Sequence, residues 1–481
     1  MKSQKHPKPS APEIGPVNGS DAVAPDQGPA VGSPRSEAAA DACTHPDGNA
    51  PPRLHSPNRQ QLVSPKLIDE LLEPDHPARA VWSYVEKLDL SALYDRIRAR
   101  GSVAGRPAID PRLLVAVWLY ATLSGFHSSR EIADLCIRYD PFVWLVGGVS
   151  VNYHTLADFR TDNPAFLEQL LKQSVDLLRQ QGLIDLDRIA QDGMRVRASA
   201  GAASFHRRET LERHLQEAQA ELQRLQQKLA ETASDPPASQ EVAAEETSAA
   251  EPRSAQQEAA AMRHAKERVQ RIEEALERMP EMEAKIKPGE DKEARVSTTD
   301  PEATVMKMAD GGFRPAYNIE YATACDGQVI EGVDVVTKSS DQGQLPPMVE
   351  QIENRFGESP KEALVDGGFV NQKDIAHVQG EKECKVYAPV PKAKKEGVDP
   401  HEPKAADSEE VAEWRTRMGT AEAKETYKDR AATAECVNAQ ARNRGLQQLT
   451  VRGIEKVKAI VTWFAIAHNM ARSFALQPQP G

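Results

Sequence analysis

The chain has 481 residues, more than one ordinary domain holds, so two or three units are expected. Its formal net charge is −12, and its five cysteines are scattered without a Cys-x-x-Cys pair. That composition argues against a disulfide framework and a cysteine zinc site and for a reducing cytoplasm, while the best apolar runs, residues 113–123 and 459–467, are too short to span a bilayer.

Residues 1–60 are rich in Pro, Ala, Ser and Gly and nearly devoid of large apolar side chains. Such a segment cannot bury enough surface to offset its ordering entropy, so a disordered tail is expected, with no apolar stretch of secretory type. From Leu62 the spacing turns helical, and an all-helical domain is expected over 61–182. One amphipathic helix is predicted over 84–93. Gly105-Arg106-Pro107 breaks the chain before Asp110-Pro111 opens an apolar helix to Leu123. Ser128 to Glu131 reads as a capping box, and further helices start near Asn152 and Phe166. Helices split by short turns suit a helix-turn-helix DNA-binding domain, or equally a plain bundle supporting a neighbour. Arg130, Arg138 and Arg160 would face phosphate in the first case and solvent in the second.

Residues 183–197 alternate like a strand and place Asp192 inside it, next to Gly193. An aspartate in an apolar strand costs free energy unless it is paired or metal-bound. The neighbouring Arg195 and Arg197 favour a phosphate site over an ordinary turn. Residues 183–206 are thus the first part of a catalytic core, interrupted over 207–290 by two coiled-coil-like arms around an acidic linker, 231–258. The core resumes over 291–476 as α/β. Strands are predicted over 316–321 and 329–337, a helix over 344–356, a strand ending at Asp366 before Gly367-Gly368, and helices over 427–442 and 454–474.

Three acids stand out by position: Asp192, Asp366 and Glu435. Three carboxylates can hold two Mg²⁺ ions about 4 Å apart, one activating a water or 3′-hydroxyl and the other stabilising the leaving oxygen. Glu435 and Arg442 are seven residues apart and would share a helix face, on the order of 10 Å from each other. The overall mean charge is acidic, but residues 96–208 and 424–472 carry more base than acid, which is what phosphate contacts need.

The segments 105–160, Gln191-Asp-Gly193, Ser297 to Glu302, Tyr317-Asn318, Val365-Asp-Gly-Gly368 and Tyr427-x-x-Arg430…Glu435…Arg442 carry a family likeness. The chain resembles a DDE-class bacterial insertion-sequence transposase, close to the IS eleven-eighty-two type of the IS four/IS five superfamily. The resemblance implies an RNase H-like fold with Asp192, Asp366 and Glu435 as catalytic, metal-ligating triad. It implies Mg²⁺, with Mn²⁺ as a substitute, and double-stranded DNA as partner, both transposon inverted repeats and target DNA, bound by a homo-oligomer. Tyr427, Arg430, Arg442, Arg195 and Arg197 would contact DNA or phosphate. Two other readings stay open: a catalytically silent DNA-binding regulator and a stand-alone nuclease of the same fold. The motif departs from the usual Tyr-x₂-Arg-x₃-Glu-x₆-Lys in two places. Arg442 stands for Lys, and one extra residue separates Arg430 from Glu435, which in a regular helix turns the two apart by roughly 140°.

Overall fold

The computed structural model describes residues 54–60, 62–63, 66–101, 107–234, 255–286, 293–393 and 397–477. Most of the expected tail, the middle of the acidic linker, and Gly105 and Arg106 lie outside them.

Four two-residue strands, β1 (Leu54–His55), β2 (Leu62–Val63), β3 (Lys66–Leu67) and β4 (Ala108–Ile109), form two small ladders, β1 with β4 and β2 with β3. Around them lie helices α1 (Pro77–Val85), α2 (Ser91–Asp95), α3 (Pro111–Leu123), α4 (Ser129–Arg138), α5 (Asp140–Val146), α6 (Tyr153–Thr161) and α7 (Pro164–Gln180). Their starts are chemically marked. Side chains of Asp110, Ser128 and Asn152 accept the free backbone N–H groups of Arg112, Glu131 and Thr155. Proline occupies the first turn of α1, α3, α5 and α7, where its missing N–H costs nothing. The single helix expected over 84–93 is instead two. The Asp89 carboxylate accepts the Ser91 N–H at 2.9 Å, and this local turn competes with the helical ladder.

The second half is a mixed α/β layer. Strand β5 (Arg188–Arg197) runs through its middle. After it come β6 (Phe205–His206), α8 (Arg208–Ser234), α9 (Ala255–Ala284) and β7 (Val296–Ser297), which pairs with β6. The bridges Arg208–Glu283 and Arg268–Glu221 place α8 and α9 antiparallel, and Leu211, Ala218, Val269, Ile272, Ala275 and Met279 form their buried seam.

Next are β8 (Thr304–Lys307), β9 (Phe313–Ala324), β10 (Ile330–Val336), α10 (Leu345–Phe356), β11 (Glu362–Leu364), α11 (Gln372–Glu381) and β12 (Lys385–Tyr387). The main sheet has the order β10-β9-β5-β11-β12, with β8 added beside β9. β9 runs antiparallel to both its neighbours, β10 and β5, whereas β11 and β12 run parallel to β5. The chain finishes with α12 (Glu409–Gly419), α13 (Ala421–Thr426), a π-helical turn (Ala431–Glu435), α14 (Cys436–Asn443) and α15 (Ile454–Leu476).

Helix α15 ties the two halves together. It is apolar nearly all round, as a fully enclosed helix must be, and it packs on α3, α7 and β10. Asn469 makes the polar clamp: its amide accepts from Ile330 N–H and donates to Ile330 C=O and Ser174 Oγ at 2.8–3.0 Å. Buried side chains of α3, α7, α15, β5, β9 and β10 form one continuous core. The sheet is thereby held at a fixed position against the helical half.

Candidate active site

Register brings the first two acids together. Leu364 of β11 lies opposite Ala190 of the parallel strand β5. Two residues further along each chain come Asp366 and Asp192, so both carboxylates emerge at the same edge. Loops beyond the carboxyl ends of adjacent parallel strands are where α/β sheets commonly bind ligands. Asp192 is 21% exposed and accepts a hydrogen bond from Asn438 Nδ2 at 2.9 Å. Burial pushes its carboxyl up to about 6. The Arg430 guanidinium pulls it down part of the way, and the charges of Asp366 and Asp341 push it up. Asp366 folds back on its own loop, where its Oδ1 accepts the Gly368 N–H at 2.7 Å.

The third acid approaches by an unexpected route. Residues 431–435 form a π turn, whose i→i+5 bonding absorbs one extra residue without breaking the helix. The five-residue step that a regular α-helix would rotate out of line therefore keeps Arg430 and Glu435 on one face. Arg430 Nη2 lies 3.4 Å from Glu435 Oε1, and its Nη1 lies 3.9 Å from Asp192 Oδ1. The guanidinium thus stands between the two acids. Glu435 itself is 63% exposed and does not line the cavity over Asp192.

That cavity has a volume of about 640 Å³ and is lined by Asp192, Asp341 and Asp366 and by four arginines, Arg195, Arg197, Arg314 and Arg442. Arg195 spans two loops, donating to the carbonyls of Lys307 and Ser339 at 2.8 Å. Arg314 is paired with Asp310. Arg197 and Arg442 are exposed at the cavity wall. Tyr427 is half-buried, and its hydroxyl donates to Val365 C=O at 3.1 Å, bracing the strand end that carries Asp366. A second cavity of about 720 Å³ includes Asp187, Arg188, Lys361, Glu362 and Asp429 in its lining. Arg188 is paired there with Glu362 and Asp429 and Lys361 with Asp187, and acids outnumber bases in the lining, so it suits phosphate poorly.

Two acids near the sheet, Asp300 and Glu302, serve the last helix instead. Asp300 accepts from Tyr317 O–H and Gly453 N–H, and Glu302 accepts Ile454 N–H at 2.6 Å. Arg160 is not part of a solvated face: it is buried over the Trp118 ring and donates to His127 C=O at 2.7 Å. Arg138 is paired with Asp134, and Arg130 lies over the Tyr153 ring.

Sequence reasoning gave no site role to Asp341, Glu320 or Asn318. Asn318 and Glu320 lie on β9, opposite Arg195 and Gly193. Asp341 lies in the loop between β10 and α10. Asn318 Nδ2 donates to Glu320 Oε1 at 2.7 Å and to Asp341 Oδ1 at 2.6 Å. Glu320 is fully buried, and that burial, with the Asp341 charge second, holds its carboxyl well above the usual range. A polar pair within β9 at alternate positions was the available signal.

The donor set suits a hard divalent ion, because every candidate ligand is a carboxylate oxygen. The electrostatics suit one too: three acids share this patch with Arg430, whose nearer nitrogen is still 3.9 Å from Asp192. Among the described residues, no three His, Cys, Asp or Glu side chains stand close enough to hold an ion jointly; that holds for Asp192, Asp341 and Asp366 as well as for Glu435, which is 63% exposed.

Residues 66–162 match the family model described as Transposase domain (DUF772), and residues 379–474 match the one described as Transposase DDE domain. The two matches support a DDE transposase. The second covers the segment of the chain from α11 into α15, including Tyr427, Arg430, Glu435 and Arg442. Asp192 and Asp366 lie outside both spans. No curated protein and no solved structure matches the chain. None of the described helices is long and apolar enough to cross a membrane.

Proposed function

We propose that this protein is the transposase of an insertion sequence of the IS eleven-eighty-two type, binding the element's terminal inverted repeats and cutting and joining DNA with Asp192, Asp366 and Glu435. The observation that carries the reading is the convergence of Asp192 and Asp366 on one arginine-lined cavity. The sheet order supports an RNase H-like core: three antiparallel strands, then two parallel to the central one. Asp192 and Asp366 would hold Mg²⁺ or Mn²⁺, with Glu435 joining them. Such an ion, when bound, supplies Lewis acidity at the phosphate.

The chain's own residues do the rest. Arg197 and Arg442 offer exposed guanidiniums to the DNA backbone at the cavity wall. Tyr427 holds the Asp366 strand end in place, and Asn438 orients the Asp192 carboxylate. In cleavage, water attacks a phosphorus, the P–O3′ bond breaks, and a 3′-hydroxyl and a 5′-phosphate result. In joining, that 3′-hydroxyl attacks a phosphorus of target DNA and displaces another 3′-oxygen. The reading places the protein in the cytoplasm as a homo-oligomer on DNA.

The test is a cleavage and joining assay on DNA carrying the inverted repeats that flank the gene. Parent protein is expected to cut and join only with Mg²⁺ or Mn²⁺ present. Asp192→Asn, Asp366→Asn and Glu435→Gln are expected to bind the ends but not cut them. Binding without cutting by the parent would favour a silent regulator, and free ends without joined product a nuclease. Normal cutting by any one variant removes that residue from the triad.

A further inference from the structure

The reading above counts three acids, but the cavity has a further carboxylate built into it. Asp341 enters from the loop before α10, on the side of β5 from which Gly193 presents no side chain. A Cβ at Gly193 would lie 2.6 Å from Asp341 Oδ1, 2.9 Å from Glu320 Oε1 and 3.0 Å from Asn318 Oδ1. Three oxygens therefore crowd a single point on the strand beside Asp192, and only glycine leaves them room. The other oxygen of Asp341 faces Asp366: a Cβ at Gly368 would lie 3.2 Å from Asp341 Oδ2 and 2.9 Å from Asp366 Oδ1. Those two carboxylate oxygens are consequently no more than about 6 Å apart, close enough to bind one hydrated divalent ion from two sides.

A second observation points to a ligand. Asn318 is 1% exposed, and its Nδ2 is fully used in holding Asp341 and Glu320, yet its Oδ1 has no donor. Gln191, on β5 and 0% exposed, likewise donates through Nε2 to Glu320 and Gln344 C=O, while its Oε1 has no donor. A buried acceptor without a donor is costly, and Asn318 Oδ1, gathered over Gly193 with the Asp341 and Glu320 oxygens, is what a cation or its bound water would complete.

We propose that Asp341 is a fourth carboxylate of the cation site, held by Asn318 beside Asp366 and admitted by the bare faces of Gly193 and Gly368; no three of the acids stand close enough to hold an ion in the metal-free protein, so the bound ion would draw them together. The proposal rests on the transposase reading only in taking Asp192 and Asp366 as ligands. Asp341 supplies the enclosed ligand from one side of the sheet, while Glu435 approaches from the exposed side past Arg430.

The test is Mn²⁺ binding by the full chain without DNA, followed by the electron paramagnetic resonance signal of the free ion. Asp341→Asn keeps the acceptor for Asn318 and is expected to weaken binding roughly ten- to a hundredfold, as Asp192→Asn does. Asp310→Asn, which removes a charge at the same cavity but from an acid paired with Arg314, is expected to bind as the parent does. Parent-like binding by Asp341→Asn alongside weakened binding by Asp192→Asn overturns the fourth ligand and leaves the triad intact. Parent-like binding by both variants, or no saturable binding by the parent, overturns both readings. A measurement on the unaltered chain guards against a folding defect: Fe²⁺ with ascorbate and peroxide is expected to cut the backbone near residues 192, 341 and 366. Cuts at the outer two without the middle one would refute the role of Asp341.

Discussion

Replacing Asp192 by Asn is expected to stabilise the metal-free protein while abolishing its chemistry. Burial lifts the Asp192 carboxyl from 3.8 to about 6, so at neutral pH the fold holds an ionised group that its surroundings disfavour. Roughly two pKa units at about 1.4 kcal/mol each put the cost near 3 kcal/mol. The substitution removes this cost, which already includes the pull of Arg430, and keeps the acceptor for Asn438 Nδ2, leaving a gain of about 2–3 kcal/mol. The sign follows from proton uptake. Between about pH 4 and 6 the folded protein holds the proton more tightly than the unfolded chain, so the parent loses stability as pH rises through that window. The advantage of Asp192→Asn should therefore be absent below about pH 4, grow to about pH 6, and stay constant above it. Urea melts of both proteins in chelator, at half-unit steps from pH 4 to 8, measure it. Added Mg²⁺ should close the gap by stabilising the parent alone. A variant less stable than the parent at pH 8, or a gap that does not change between pH 4 and 6, would refute the electrostatic reasoning.

Deleting Ala431, an exposed residue of the π turn, should convert it to an α turn and leave Arg430 and Glu435 four apart on one face. Cleavage is expected to survive and the melting temperature to hold or rise, and loss of activity in a folded protein would show that the extra residue is itself required. Arg197→Ala and Arg442→Ala should each weaken DNA binding evenly across sequences and reduce the slope of log affinity against log salt by about 1. Binding titrations at several salt concentrations would read this, and an unchanged slope would remove the residue from the DNA path.

The two strand acids were legible because a strand tolerates aspartate poorly, so Asp192 before Gly193 and Asp366 before Gly367-Gly368 stood out against their apolar neighbours. Their meeting follows from parallel register, which sequence spacing does not encode. The geometry of Glu435 was not legible. Five residues from Arg430 means opposite sides in an α-helix and the same side across a π turn, and composition does not distinguish these. Asp341 escaped notice for a different reason: Ser339-Ser340-Asp341-Gln342-Gly343 is ordinary turn chemistry, and only the oxygens gathered over Gly193 mark it. Arg160 misled because a helical arginine between polar residues reads as solvated, whereas aromatic packing over Trp118 buries it. Tyr427 was placed on DNA by motif likeness, while its hydroxyl is used on the Val365 carbonyl, within the frame that positions Asp366.

Crystals of the unaltered protein grown or soaked with Mn²⁺ would address the site most directly through anomalous scattering. The account predicts a peak within bonding distance, about 2.1–2.3 Å, of carboxylate oxygens from both Asp192 and Asp366. A well-occupied peak elsewhere, with those two carboxylates free of metal, would contradict it.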